Sequence, residues 1–289
     1  MLDEARSGGY GVCYCESWNL ESVQAVIQAA EECRSPIVAG FNGGFLRHSS
    51  RSKPEDLSYY AGWRFALETS SVPVAFILNE SDSLAQIQQG IELGFNAVMP
   101  ENEGLDLDDY RKLVKTVVTF AHPRSIWVEA QLGVLPSGAS ATDGHSEITD
   151  PDAARRFVEE TGIDALAVSI GNVHVLTAGK ATVDRDALRR IGEKVKVPLV
   201  LHGGTSIAHE CLRDFVGLGV AKFNFGTVLK QVYLEAIRES LAKYEHPMNP
   251  HAFLGVGGNL DIMTAGREAV KSKVKELLHA SGSAGRAGK

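Results

Sequence analysis

Two short stretches carry residues whose types and placement can do chemistry. Ser169-Ile170-Gly171-Asn172-Val173-His174 and Pro198-Leu199-Val200-Leu201-His202-Gly203-Gly204-Thr205 each read as a buried parallel strand that ends in a histidine beside small residues. Imidazole is a ligand for zinc and related divalent metals. The C-terminal tip of a barrel strand is where α/β barrels carry their chemistry. A lone histidine there is satisfied by an ordinary hydrogen bond at the rim. Two on neighbouring strands, with matched placement, can converge on one ion. The remaining histidines (His48, His122, His145, His209, His246, His251 and His279) fall in loops or helices and read as surface groups. Only His145, in a Gly/Ser/Thr-rich stretch from Gly133 to Thr149 that reads as a mobile loop, is placed to visit such a site.

Other strand ends are also rich in polar groups. Glu16/Ser17, Asn42-Gly43-Gly44, Asn79-Glu80, Glu101-Asn102-Glu103, Glu129 with Gln131, and Asn224-Phe225-Gly226-Thr227 each follow or end an apolar run. Gly203-Gly204-Thr205 and Asn224 to Thr227 suit an anion, because small residues free backbone N–H groups at a helix start. Tight turns alone would also account for the glycines. Glu129 can serve as an acid/base, as an orienter of another group, or as a salt-bridge partner at the rim, and residue type does not choose among these.

These groups need a scaffold, and the chain alternates strand and helix signals without a linker. Strands are expected over Tyr10–Cys15, Pro36–Gly40, Val72–Leu78, Ala97–Met99, Ser125–Ala130, Ala165–Ile170, Pro198–Leu201 and Ala221–Phe225. Helices are expected over Leu20–Cys33 (with Asn19 as N-cap), Glu55–Thr69, Ser83–Leu93, Leu107–Ala121, Pro151–Thr161, Asp184–Lys194, Ala208–Leu218, Leu229–Tyr244 and Gly266–Ala280. Eight strand–helix units in roughly 250 residues match a single-domain (β/α)8 TIM barrel with a C-terminal helical extension. A doubly wound open sheet is the alternative, but no Gly-x-Gly-x-x-Gly follows the first strand.

Composition narrows the partners. The chain has 289 residues, 44% hydrophobic and 22% charged, as in a packed globule. A net charge of -7 with no basic block disfavours nucleic acid and anionic membranes. No apolar run approaches the roughly 20 residues that span a bilayer. The N-terminus lacks a basic-apolar signal pattern. Four cysteines (Cys13, Cys15, Cys33, Cys211) form no zinc-finger or disulfide pattern, so a cytoplasmic location with reduced thiols is expected.

On these residues the chain resembles the class II, metal-dependent fructose- and tagatose-bisphosphate aldolases. The likeness runs from Gly9-Tyr10-Gly11-Val12 through Ser35-Pro36-Ile37-Val38, Val72-Pro73-Val74-Ala75, Val128-Glu129-Ala130, Thr149-Asp150-Pro151 and Asp164–Val168. It continues to Val197–Gly204, Lys222-Phe223-Asn224 and the tail Gly282-Ser283-Ala284. The resemblance implies a zinc ion on three histidines, a phosphorylated ketose as substrate, and a homodimer or homotetramer. It implies that the metal acts as a Lewis acid on the substrate carbonyl, while an aspartate at the end of strand three moves the proton of the C4 hydroxyl. By motif match, His174 and His202 are metal ligands, and Gly203, Gly204, Thr205, Asn224, Gly226 and Thr227 hold phosphate.

The departures fall in the site. Where the family reads Leu-His-Leu-Asp-His-Gly, this chain reads Phe76-Ile77-Leu78-Asn79-Glu80-Ser81. The aspartate position carries Asn79, which cannot take a proton near neutral pH, and the third histidine position carries Glu80. Glutamate still binds zinc, so the expected metal set is His174, His202 and Glu80. Glu101-Asn102-Glu103 replaces Asp-Gly-Ser, Gln131 replaces a glutamate, and Val175 replaces a glycine. Proton transfer then falls to Glu129, Glu101 or Glu103. The expected function is an aldehyde-lyase of class II aldolase type on a phosphorylated ketose, with low activity on fructose bisphosphate itself. The alternatives are a non-catalytic homologue that binds a sugar phosphate or stabilises a partner, and a lyase for a non-phosphorylated substrate.

Overall fold

In a computed structural model that describes residues 1–133, 135, 148–176 and 179–288, eight parallel strands close into a barrel in sequence order. They are β1 (Val12–Glu16), β2 (Ile37–Asn42), β3 (Val74–Ser81), β4 (Ala97–Pro100), β5 (Trp127–Leu132), β6 (Ala165–Val168), β7 (Leu199–Leu201) and β8 (Val220–Phe225). Closure is direct: β1 pairs with both β2 and β8. The expected (β/α)8 barrel is what forms, and the open-sheet alternative is excluded. His145 and most of the Gly133–Thr149 stretch lie outside the described residues.

Strand alternation divides the apolar residues into two layers. One set, Val12, Tyr14, Val38, Ile77, Ala97, Met99, Ala165, Ala167 and Val200, fills the barrel interior. The intervening set, including Cys13, Ala39, Phe76, Leu78, Val128, Leu166, Leu201 and Phe223, packs under the helices. Both faces of each strand are therefore buried, which is why the strands read as unbroken apolar runs.

Helix starts follow capping chemistry. Asn19 forms a reciprocal capping box with Ser22 at the helix Leu20–Glu32. Asp106, Asp150 and Asp184 cap Leu107–Ala121, Pro151–Thr161 and Arg185–Lys194. Two expected helices are broken. Glu55–Thr69 forms Leu57–Ala61 and Arg64–Glu68 with Gly62 between them. Ala208–Leu218 forms a 3-10 turn followed by Leu212–Val216. The last helix starts earlier than expected, at Ile262, because Asp261 caps it, and it packs against the helices Leu20–Glu32 and Thr227–Leu241. A short helix, Leu2–Gly8, escaped the sequence reading.

Candidate metal centre and its cavity

The inward side of each strand, extended past the last barrel-filling residue, reaches the site. Two positions after Tyr14, Val200 and Ile77 come Glu16, His202 and Asn79, and two after Lys222 comes Asn224. Alternation alone would turn Glu80 away from them, toward the helices. Instead the β3–β4 register shifts between Leu78 and Ser81, and Glu80 adopts a left-handed φ of 49°. This bulge re-aims a side chain at a strand end and delivers two consecutive residues, Asn79 and Glu80, to one cavity. A non-glycine residue at such a φ costs roughly 1–2 kcal/mol, which the surrounding fold must hold.

His174 reaches the site differently. β6 ends at Val168, and the chain then turns through Gly171, with φ of 100°. His174 therefore sits in the following loop and is not at a strand tip, contrary to the sequence expectation. Gly203, with φ of 62°, lies so close to this loop that a Cβ there would stand 2.2 Å from the Val173 carbonyl oxygen. Glycine is needed for the β7 turn and the His174 segment to approach each other.

Glu80, His174 and His202 converge. Their ligating atoms lie within 4.8 Å of one another, and they form a group able to hold a metal among the described residues. Glu80 Oε1 is 3.6 Å from His174 Nε2 and 3.3 Å from His202 Nδ1. Glu80 Oε2 accepts from the Asn42 side chain, whose own oxygen accepts from the Phe45 N–H. Burial alone would push the Glu80 carboxyl up, but the His202 hydrogen bond and the charges of His174 and His202 hold it down to about 2.

His202 is fixed from behind. Its Nε2 lies 2.9 Å from Glu129 Oε1, and the other Glu129 oxygen accepts from Lys222 Nζ at 2.7 Å. All three side chains are at most 1% exposed. Lys222 Nζ also faces the Tyr14 ring at 5.0 Å. Desolvation pulls the His202 proton affinity down, but hydrogen bonds to Glu129 and Glu80 leave it raised. Burial would also raise the Glu129 carboxyl; Lys222 and His202 keep it ionised instead. With Nε2–H held by Glu129, Nδ1 is the nitrogen free to ligate, a tautomer fixed in the way metal-binding imidazoles usually are. The donor set of two imidazoles and one anchored carboxylate, each held by an outer partner, fits a divalent metal of the zinc type. Of the residues that complete this support, Asn42 carried only its strand-end position, and Lys222, inside β8, only its place in the family likeness.

The cluster opens into two adjoining cavities. The smaller, about 310 Å³, is lined by Tyr14, Glu16, Asn79, Glu80, His174, Thr205, Asn224, Gly226, Thr227 and Lys230, among others. The larger, about 640 Å³, adds Glu101, Glu103 and Gln131 to Glu80 and His174. Gly203, Thr205, Asn224, Gly226 and Thr227 thus share the first cavity, with Gly204 packed against Asn224 and Phe225. Glu101 Oε1 accepts from the N–H groups of Asn102 and Glu103, and burial and the nearby Glu80 push its carboxyl up. Glu129, by contrast, lines neither cavity; its place is behind His202. The Tyr14 hydroxyl, Asn79 Oδ1 and both side-chain atoms of Asn224 have no hydrogen-bond partner among the described residues. Buried polar atoms left this way are expected to meet a ligand or water.

Comparison with known proteins gives the family and the fold. Residues 1–286 match the family described as Fructose-bisphosphate aldolase class-II. The structure of the YdjI aldolase from Escherichia coli K12 superposes with a TM-score of 0.81 at 30% identity, covering 99% of this chain and 97% of that one. A putative fructose-1,6-biphosphate aldolase from Coccidioides immitis gives 0.81 at 23% identity, over 99% and 96% of the two chains. Fructose-bisphosphate aldolase from Campylobacter jejuni gives 0.76 at 20%, over 98% and 93%. The last two likenesses show the fold alone.

Proposed function

The chain belongs to the class II fructose-bisphosphate aldolase family, and from that premise we propose that it is a metal-dependent aldehyde-lyase that cleaves a phosphorylated ketose. The observation that carries this reading is the convergence of Glu80, His174 and His202 on one point with their outer partners in place. Bound there, a divalent metal, zinc by the character of the donors, would supply Lewis-acid polarisation of the substrate carbonyl.

The protein's own groups divide the remaining work. Glu129 and Lys222 orient His202 and keep its Nδ1 toward the ligand site. Asn79 offers an amide beside Glu80 that binds a hydroxyl and moves no proton. We assign proton transfer at the hydroxyl next to the breaking bond to Glu101, the half-buried cavity carboxylate whose raised proton affinity suits acid/base work at neutral pH. Glu103 is exposed and is placed at the entrance. The loops Gly203–Thr205 and Gly226–Thr227 take the phosphate. Because the acid/base group stands just past β4 and not at Asn79, the substrate differs from fructose bisphosphate in the geometry around the cleaved bond.

The test is metal analysis of the purified protein together with cleavage of a panel of ketose phosphates. About one divalent metal per chain, lost in His202→Ala and Glu80→Ala, with chelator-sensitive cleavage of at least one panel member that Glu101→Gln abolishes, supports the reading. Absence of bound metal in protein refolded or purified with zinc refutes it and favours the non-catalytic sugar-phosphate-binding homologue.

A further inference from the structure

Glu16 ends β1 and faces inward, in line with Tyr14. Its Oε1 lies 2.6 Å from Lys230 Nζ, on the first turn of the helix Thr227–Leu241. Its Oε2 lies against Gly226: a Cβ built there would stand 2.2 Å from that oxygen. Glycine at 226 is therefore what lets the carboxylate close over the start of the helix. That helix is 15 residues long, and although the Val228 N–H donates to Thr205 Oγ1 at its start, the positive end of its dipole faces the same spot. Lys230 is further held over the rings of Phe45 and Trp18, 4.5 and 5.7 Å from their centroids, which leaves its ammonium in the cavity wall.

The end of the small cavity most suited to an anion thus already contains one. In the same wall, Asn224 is 7% exposed and both its amide atoms lack a partner among the described residues, so this end is built to receive a ligand. Building on the reading of a phosphorylated substrate, we infer that Glu16 is a resident counter-anion that the substrate phosphate must displace from Lys230, and that Glu16 thereby sets the selectivity of the site for phosphate. A tetrahedral dianion and the Glu16 carboxylate cannot share Lys230 without strong like-charge repulsion. Glu16 is relieved by taking up a proton as the phosphate settles. Burial already favours that direction, since it raises the Glu16 carboxyl against the opposing pull of Lys230. The other charged groups facing Glu16 are Glu80, which also favours protonation, and His174, which opposes it.

Sulfate is the probe, because it is a tetrahedral dianion whose charge stays constant from pH 6 to 8. Its affinity is measured by calorimetry on the zinc-loaded wild type, Glu16→Gln, Lys230→Met and Lys230→Gln. Metal content and thermal midpoint serve as folding controls. At pH 7.5, Glu16→Gln binds sulfate at least ten-fold more tightly than wild type, and both Lys230 variants at least ten-fold more weakly than Glu16→Gln. Wild-type affinity falls several-fold from pH 6 to 8, and more steeply than in Glu16→Gln. Equal affinity in wild type and Glu16→Gln, or parallel pH profiles, overturns the assignment. Because no turnover is read, an inactive protein can still pass this test, and an active lyase can still fail it.

Discussion

Replacing Glu129 with glutamine isolates the buried chain that holds the metal site. Glu129, His202 and Lys222 are all essentially inaccessible, and the carboxylate spans 2.9 Å to the imidazole and 2.7 Å to the ammonium. At 2.7 Å and an effective dielectric of about 20, the gross Glu129–Lys222 attraction is about 6 kcal/mol. Desolvation of both ions offsets much of it, and removing one partner of such a pair costs about 3–5 kcal/mol because the other charge is left buried. Glutamine keeps the shape and one acceptor, so Glu129→Gln is expected at the low end, about 3 kcal/mol, in urea unfolding of the chelator-treated protein. His202 also loses the partner that fixes its Nε2–H, so zinc affinity by chelator competition falls about 10- to 100-fold. The double variant Glu129→Gln/Lys222→Met separates the two effects. Methionine removes the orphaned charge at nearly constant volume, so most of the stability returns while zinc affinity stays weak. If Glu129→Gln unfolds at the wild-type midpoint, or the double variant is less stable than either single one, the role given to this chain is wrong.

Four further outcomes follow from the same geometry. His202 has its proton affinity raised in the fold, so in metal-free protein its contribution is complete below about pH 6.5 and is lost as pH rises through the higher folded value; urea midpoints should therefore decline on the alkaline side, and a flat profile from pH 6 to 9 contradicts this. Glu80 runs the other way: its contribution is present above the ordinary glutamate range near 4.5 and disappears as pH falls toward about 2, visible as an acid transition that Glu80→Gln removes. Because zinc must replace a proton at His202 Nδ1, its affinity should rise from pH 6 to 8, and a pH-independent dissociation constant would contradict the ligand assignment. Val175, at φ of 57° and 40% exposed, pays for a left-handed backbone with little burial in return, so Val175→Gly should leave stability unchanged or raise it by up to about 1 kcal/mol; a loss above 1 kcal/mol would show that the valine side chain packs in the folded state.

The barrel was legible in the chain because each strand is buried on both faces. Hydrophobic runs bounded by Gly, Pro and polar residues therefore mark all eight strands within a few positions, as with Ala97–Pro100 and Val220–Phe225. The capping side chains of Asn19, Asp150 and Asp184 mark helix starts equally well, since the capping bond is local. The residues of the candidate metal cluster were also legible, because two imidazoles and a carboxylate near strand ends form a donor set and the family motifs locate them.

Tertiary structure decided what each of those residues does. Glu80 joins Asn79 in one cavity only because β3 bulges against β4, and a bulge is a property of the strand pair that neither strand's sequence reveals. His174 meets His202 through a loop turned by Gly171 and not from a strand tip. Glu129, one of three carboxylates open to the proton-transfer role, is drawn behind His202 by Lys222, 93 positions away. Glu16 and Lys230, 214 positions apart, form their pair in the anion end of the cavity because β1 and β8 close the barrel side by side. The types of these side chains and their nearness to strand ends are written in the sequence, because alternation and capping act over a few residues. Which charge faces which is set by barrel closure, because electrostatic pairing depends on distances in space that only the assembled sheet creates.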